Sequence, residues 1–378
     1  MTIKRNHFGI GPDVSLFTLG TMRSTESADQ MYAVVKEACL IGINHIETAP
    51  AYGPAESLLS TAIKRLNSEG IRPEGDWIIT SKILPGINLN EGKQQLQASL
   101  KRLGISKIHN LAIHGLNLQK HLKWALEGEG AQLIKWAVQE RLIGQIGFSS
   151  HGTFSLIKEA IESSQFQFCS LHLHLLDQER IPLAKIALEN HLGVMAISPA
   201  DKGGHLHTPS KTLISDCFPI SPLELAYRFL LSQGISTLTL GACKTKDFEI
   251  AKKLINSNTP LSKSEQHLIE KLRQKSKERL GDTFCGQCRK CLPCPNEIPI
   301  PEILRLRNLY IGMDLHSFTK ERYNLIGRAG HWWEKNNAGA CQNCGDCLPK
   351  CPNNLNIPEL LKEKHRELSD TPIRRLWG

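Results

Sequence analysis

Eight short apolar runs alternate with eight helix-like stretches through the first 280 residues, and this alternation constrains the fold more than any other feature. The runs fall at 17–20, 45–48, 77–81, 108–114, 145–149, 168–175, 193–198 and 237–241. The stretches between and after them, 28–41, 54–66, 92–103, 130–141, 153–162, 181–191, 222–232 and 245–256, carry apolar residues at helical spacing. Strand-length runs followed by helical periodicity, repeated eight times in order, predict an α/β fold of the (β/α)8 TIM barrel type. The competing open, doubly wound sheet usually has fewer strands, and its dinucleotide-binding form opens with G-x-G-x-x-G, which does not follow residues 17–20 here. A helix predicted over 262–280 ends at Gly281, a residue suited to a helix C-cap, and sets the expected limits of the barrel domain at 1–280.

The second constraint is the distribution of 12 cysteines. Cys39, Cys169, Cys217 and Cys243 are dispersed, and the apolar neighbours of Cys39 and Cys169 predict inert buried thiols. The other eight form two runs, Cys285-Gly-Gln-Cys288-Arg-Lys-Cys291-Leu-Pro-Cys294-Pro and Cys341-Gln-Asn-Cys344-Gly-Asp-Cys347-Leu-Pro-Lys-Cys351-Pro. The opening residues MTIKRNHFGIGPDVS hold no apolar leader run, and no stretch approaches the roughly 20 apolar residues of a membrane span. The expected address is therefore cytoplasmic, where cysteines serve metal or redox chemistry more than disulfides.

The second run matches the bacterial ferredoxin pattern C-x2-C-x2-C-x3-C-P in full, and the first is one residue shorter before its last cysteine. Three closely spaced thiolates can wrap one [4Fe–4S] cluster, while the cysteine before proline normally reaches the other cluster. The expected ligand sets are thus Cys285, Cys288 and Cys291 with Cys351, and Cys341, Cys344 and Cys347 with Cys294. Structural zinc is the alternative, since paired C-x-x-C units also form four-cysteine sites. The 46 residues between Cys294 and Cys341 read as mostly helical. That resembles the α-helical ferredoxin modules fused to dehydrogenases, and implies a small ferredoxin-like domain at 281–360 followed by a tail at 361–378 with a peripheral helix. Trp332-Trp333 between the runs reads as docking or core.

Net charge is +9, which raises the possibility of nucleic-acid binding. Residues 281–378 hold 14 Lys and Arg against 11 Asp and Glu, so the excess is not gathered there. The cations are scattered without interleaved aromatics, which predicts a solvated surface and neither a nucleic-acid nor a membrane partner.

Reactive residues of a (β/α)8 barrel sit at the C-terminal ends of its strands. Here those ends are Glu47, Lys82, His114, Ser149, His174, Pro199 and Gly241, with Tyr52 just beyond the second strand. Glu47-Thr-Ala-Pro-Ala-Tyr52-Gly53 resembles the D-T-A-x-x-Y-G signature of aldo-keto reductases. ITSK at 79–82 resembles their lysine strand, LAIHG at 111–115 their histidine strand, and GFSSH (147–151), SPADKGGHL (198–206) and LGACKT (240–245) resemble later blocks. The resemblance covers about residues 8–256, and family members with a C-terminal ferredoxin-like extension exist.

The resemblance implies NAD(P)H-linked hydride transfer on a small carbonyl or alcohol substrate. Tyr52 would protonate the carbonyl oxygen. Lys82 would lower the Tyr52 pKa from its ordinary value near 10, Glu47 would hold Lys82 charged, and His114 would orient the substrate oxygen. Lys244, three residues after Gly241, would meet the 2′-phosphate of NADP with help from a helix N-terminus near Thr245, and Ser149 would lie near the carboxamide. With the two clusters, the resemblance implies electron transfer and an electron-transfer partner protein.

Three positions depart from the family pattern: Glu47 replaces Asp, Ile197 stands where many members stack an aromatic, and Ser-Leu-His-Leu-His at 170–174 stands where Gln and Asn are common. His172 and His174 in that segment read as packing or substrate contacts, with metal ligation as the other option. Glu47 and Ile197 also keep a second class open, a non-catalytic scaffold that senses redox state through its clusters.

Overall fold

The computed structural model describes residues 3–257, 259–329 and 336–370. Its larger part is a closed barrel of eight parallel strands: β3 (Phe17–Gly20), β4 (His45–Glu47), β5 (Ile78–Ile83), β6 (Ile108–His114), β7 (Ile143–Ser150), β8 (Phe168–His172), β9 (Gly193–Ile197) and β10 (Thr237–Leu240). β10 pairs with both β9 and β3, which closes the ring and leaves no open edge. A short antiparallel hairpin, β1 (Arg5–Asn6) and β2 (Val14–Ser15), precedes it. Its loop plugs the N-terminal mouth, where buried Phe8 packs 5.0 Å from the Phe168 ring and 5.4 Å from His45.

The outer helices α1 (Ala28–Leu40), α2 (Ala55–Ser68), α3 (Leu89–Leu103), α4 (Gln119–Leu126), α5 (Glu129–Gln139), α6 (Phe154–Glu162), α7 (Ile181–Glu189), α8 (Lys211–Cys217), α9 (Pro222–Ser232) and α10 (Glu249–Leu254) follow the strands. Their ends follow capping chemistry: Asn88 accepts from the Glu91 amide at the start of α3, and left-handed Gly104 closes it. Three elements differ from the sequence expectation. α4 and α8 are additional helices, α8 being started by Ser210, whose side chain accepts from the Leu213 amide. The helix expected over 245–256 begins as a 3-10 turn, Thr245–Phe248, before α10.

By contacts the chain divides into two compact units, residues 1–203 with 226–260, and residues 204–225 with 261–378. The second unit thus gathers α8, α11 (Lys263–Leu280), α12 (Ile300–Gly312), α13 (His316–Tyr323) and α14 (Ile357–Leu368) with both cysteine runs. Buried Asp216 at the end of α8 takes Lys275 at 2.7 Å and Arg279 at 2.6 Å from α11. Gly312 lets α12 approach α11, since a Cβ there would stand 2.1 Å from the Ser276 hydroxyl. α14 is not the peripheral helix expected: Leu360, Leu361, Lys364 and Leu368 on it are buried. Trp332-Trp333 and tail residues 371–378 lie outside the described residues. Among the described residues no helix is long and apolar enough to cross a membrane.

Inside the barrel a polar layer lies below the strand ends. Thr18 Oγ1 is 2.7 Å from His45 Nδ1, His45 Nε2 is 2.7 Å from Thr80 Oγ1, and Asn110 Nδ2 donates to Thr80 Oγ1 at 3.0 Å. Burial pushes the His45 pKa down to about 3, so the ring is neutral in the fold but takes a proton below about pH 6.5 once unfolded. The unfolded chain then binds more protons between those two values, and stability is lost as pH falls through that window. The linkage is at most about 5 kcal/mol. The denaturant midpoint of the native chain should therefore rise more steeply from pH 4 to 7 than that of His45→Gln. Parallel pH profiles would contradict this.

Candidate functional site

Adjacent parallel strands β4 and β5 put Glu47 and Lys82 side by side at the C-terminal mouth, with both side chains buried. A buried ammonium needs a partner for each of its three protons. Lys82 Nζ has them: an ion pair to Glu47 Oε1, a hydrogen bond to Tyr52 Oη at 2.7 Å, and one to the Thr48 carbonyl at 3.2 Å. Tyr52 stands on the 3-10 turn Pro50–Tyr52 that follows β4, and its hydroxyl donates to Glu47 Oε1 at 3.3 Å. The His114 ring, at the end of β6, meets the Tyr52 ring edge-on with centroids 5.8 Å apart. Glu47, Tyr52, Lys82 and His114 thus converge at one place.

Burial dominates the electrostatics of this cluster. Burial holds the Tyr52 phenol above its ordinary value and holds Lys82 well below its own, with the nearby Lys202 adding to the second shift. Glu47 neutralises Lys82, so the pair leaves little net charge to draw the phenol down, and desolvation decides. The result is a tyrosine that keeps its proton near neutrality. Lys202 lies in the turn after β9 and was not among the expected site residues; SPADKGGHL marks the segment but not this side chain.

Ser149, paired in register with His114, accepts from the Gly115 amide at 3.1 Å and donates to the Ile113 carbonyl at 3.4 Å. Those bonds fasten the strand end that carries His114. His174 is fully buried and accepts from the Leu176 amide, and the His172 ring lies 5.7 Å from that of His151. At the end of β10, Gly241 leads to exposed Lys244, and a Cβ on Gly241 would stand 3.3 Å from Arg23 Cδ. Arg23 and Lys244 both act on Cys243 and give this edge two cations. Just before the 3-10 turn at Thr245, Asp247 Oδ2 accepts from Cys243 N at 2.9 Å and Lys244 N at 3.2 Å.

In the second unit the cysteines line two cavities of nearly equal size, about 330 and 340 Å3, both open to solvent. One is lined by Cys285, Cys288, Cys291 and Cys351, the other by Cys294, Cys341, Cys344 and Cys347, with Cys291 on the wall shared by both. The loops that form them repeat. Cys294-Pro-Asn-Glu-Ile-Pro-Ile-Pro-Glu-Ile-Leu304 and Cys351-Pro-Asn-Asn-Leu-Asn-Ile-Pro-Glu-Leu-Leu361 are equivalent, and each enters a helix six residues after its cysteine. Left-handed residues recur at matching places, Gln287, Arg289 and Glu297 in the first run against Asn343, Gly345 and Asn354 in the second. Each helix feeds both cavities: Pro301 and Leu304 join Ile357 around the first, and Pro358 and Leu361 join Ile300 around the second. Among the described residues no three His, Cys, Asp or Glu side chains form a group that could hold a single metal ion. Burial pushes the Cys291 thiol up to about 11 and raises Cys285 and Cys347 from their ordinary value.

An eight-stranded parallel barrel with a lysine-bonded tyrosine in its C-terminal mouth belongs among the barrel oxidoreductases. The chain is a member of the aldo/keto reductase family, whose sequence model matches residues 17–274, more than half of its 378 residues. An aldo-keto reductase of Mycobacterium tuberculosis is 24% identical over 241 residues, covering 60% of this chain and 80% of its own. Among solved structures, the holo form of an aldo-keto reductase from Bacillus halodurans shares the fold with a TM-score of 0.61 at 20% identity, over 71% of this chain and 96% of its own. A Bombyx mori aldo-keto reductase in complex with NADP has a TM-score of 0.57 at 21% identity, over 72% of this chain and 93% of its own.

Removing one member of a buried ion pair strands the other charge, typically at about 3–5 kcal/mol. Glu47→Ala should therefore lower unfolding stability by that order, while Glu47→Ala with Lys82→Met should recover most of it. Equal losses in the single and double variants, measured by denaturant titration, would contradict the pairing.

Proposed function

We propose that this aldo/keto reductase performs NADP(H)-linked interconversion of a small carbonyl and its alcohol in the barrel, and that its C-terminal cysteines hold two [4Fe–4S] clusters for electron transfer. The observation that carries the barrel reading is the Tyr52 hydroxyl, which accepts a hydrogen bond from Lys82 at 2.7 Å and donates one to Glu47 Oε1 at 3.3 Å. In the reductive direction Tyr52 gives that proton to the carbonyl oxygen. Lys82 and Glu47 hold the phenol in place, and the Lys82 hydrogen bond to Tyr52 Oη would remain on the phenolate left behind. His114, stacked edge-on against Tyr52, donates a hydrogen bond to the same oxygen and fixes its position.

NADP is supported by the structurally similar Bombyx mori enzyme, described in complex with it, and by the cationic edge at Arg23 and Lys244. Those two side chains would bind the 2′-phosphate, Gly241 would give the backbone close approach, and Ser149 would hold the strand end beneath the carboxamide. When bound, the nicotinamide supplies the hydride.

Iron–sulfur ligation is supported by two cavities lined by four and five cysteines, Cys291 being common to both, and by the repeated loop geometry around them. The clusters would supply one-electron chemistry, with Cys351 completing the first set and Cys294 the second. The proposed functional division is a reductase barrel at 1–280, a ferredoxin-type part at 281–360 and a tail at 361–378. Reduced thiols in this number suit a cytoplasmic address.

Tyr52→Phe should lower carbonyl turnover with NADPH by about 10²–10⁴-fold while leaving nucleotide binding intact. Unchanged turnover, or no turnover of any aldehyde or ketone by the native chain, would favour a redox-sensing scaffold. Anaerobically purified protein should carry about eight iron atoms with a broad visible absorbance. Zinc in their place would refute the clusters.

A further inference from the structure

The two cysteine cavities are copies of one device, so the residues that differ between equivalent positions are the ones that set them apart. Between the second and third cysteines the first run has Arg289-Lys290 where the second has Gly345-Asp346. Arg289 lines the Cys285 cavity and Asp346 lines the Cys341 cavity. Arg289 occupies a left-handed conformation, φ 62°, at the position where the repeat uses glycine at φ 81°.

The helices add to the difference. Arg307 on α12 is buried and donates to the Thr283 carbonyl and hydroxyl, both at 3.0 Å, so its immediate partners are neutral oxygens. Glu363 and Glu367 act on it from farther away. Its equivalent on α14, Lys364, is also buried, but it is ion-paired directly with Glu367 and with Glu363 at 3.4 Å. The Cys285 cavity also has a donor on sulfur: Gln287 Nε2 lies 3.2 Å from Cys285 Sγ. The one residue inserted in the second run, Lys350, precedes Cys351, the cysteine that crosses over to the Cys285 cavity.

Resting on the cluster reading above, we infer that the two sites are electrostatically unequal. The Cys285 site takes up an electron at the higher potential and the Cys341 site at the lower. Reduction of a cluster adds one negative charge. Cations and N–H donors near its sulfurs stabilise that charge, and a carboxylate opposes it. The first electron given to the protein therefore rests on the Cys285 side, and the second fills the Cys341 side. This ordering makes the pair a directional relay, in which an electron delivered to the Cys341 site moves downhill to the Cys285 site.

The test is an anaerobic redox titration of the full, iron-loaded chain with dithionite and mediators, followed by electron paramagnetic resonance and visible absorbance. Two resolved one-electron midpoints are expected. Arg289→Glu, at an exposed position, should move the upper midpoint to lower potential and leave the lower one in place. Asp346→Asn, also exposed, should raise the lower midpoint and leave the upper one in place. Eight irons with coincident midpoints, or both substitutions moving the same midpoint, would overturn the ordering while leaving the clusters standing. A chain that binds no iron would overturn the cluster reading itself and the ordering with it.

Discussion

The barrel site depends on one buried cation. Lys82 comes up β5 into a region that water does not reach, and a lone ammonium there would cost several kcal/mol. Glu47 on the neighbouring strand answers it, and the strand register makes the answer possible: Glu47 pairs with Thr80, two residues before Lys82 on the same face. The turn after β4 then has to bring Tyr52 back over the pair, because its hydroxyl takes one of the three ammonium protons. Charge, register and turn are coupled, and the side chains that satisfy the buried ion are the ones proposed to handle the substrate's proton.

Much of this arrangement was legible in the sequence, because strand ends in a barrel all point to one mouth and Glu47, Lys82 and His114 each end an apolar run. The placement of Tyr52 was legible only through its motif, since nothing in periodicity says how a five-residue turn folds back. Lys202 and Arg23 were not legible at all: each is a polar residue in a loop, where side-chain direction is set by tertiary packing. The burial that raises the Tyr52 pKa is hidden in the sequence for a related reason. A sequence displays which charges are neighbours but not how much water surrounds them, and here burial outweighs a cation whose charge Glu47 already cancels.

In the second unit the legible and hidden parts change places. The cysteine spacing marks out two loops, yet the twofold repeat that organises them extends well past the cysteines, through Pro-Asn and Ile-Pro-Glu into α12 and α14. A single inserted residue, Lys350, conceals it behind unequal spacing. The repeat gives the crossed gathering of Cys294 and Cys351 a structural basis, since each loop ends by stepping across to its twin, and each following helix lines both cavities. Against that symmetry, the exchange of Arg289-Lys290 for Gly345-Asp346 stands out as the difference in charge.

The central claim is that the tyrosine held by Lys82 and Glu47 serves a carbonyl-reducing site. It is tested most directly by supplying NADPH deuterated at the transferable position of its nicotinamide, together with a panel of small aldehydes and ketones, and weighing the alcohols formed by mass spectrometry. The account predicts an alcohol carrying one deuterium on the former carbonyl carbon, formed by the native chain and lost with Lys82→Met. Alcohol without the label, or no alcohol from any member of the panel, would contradict it.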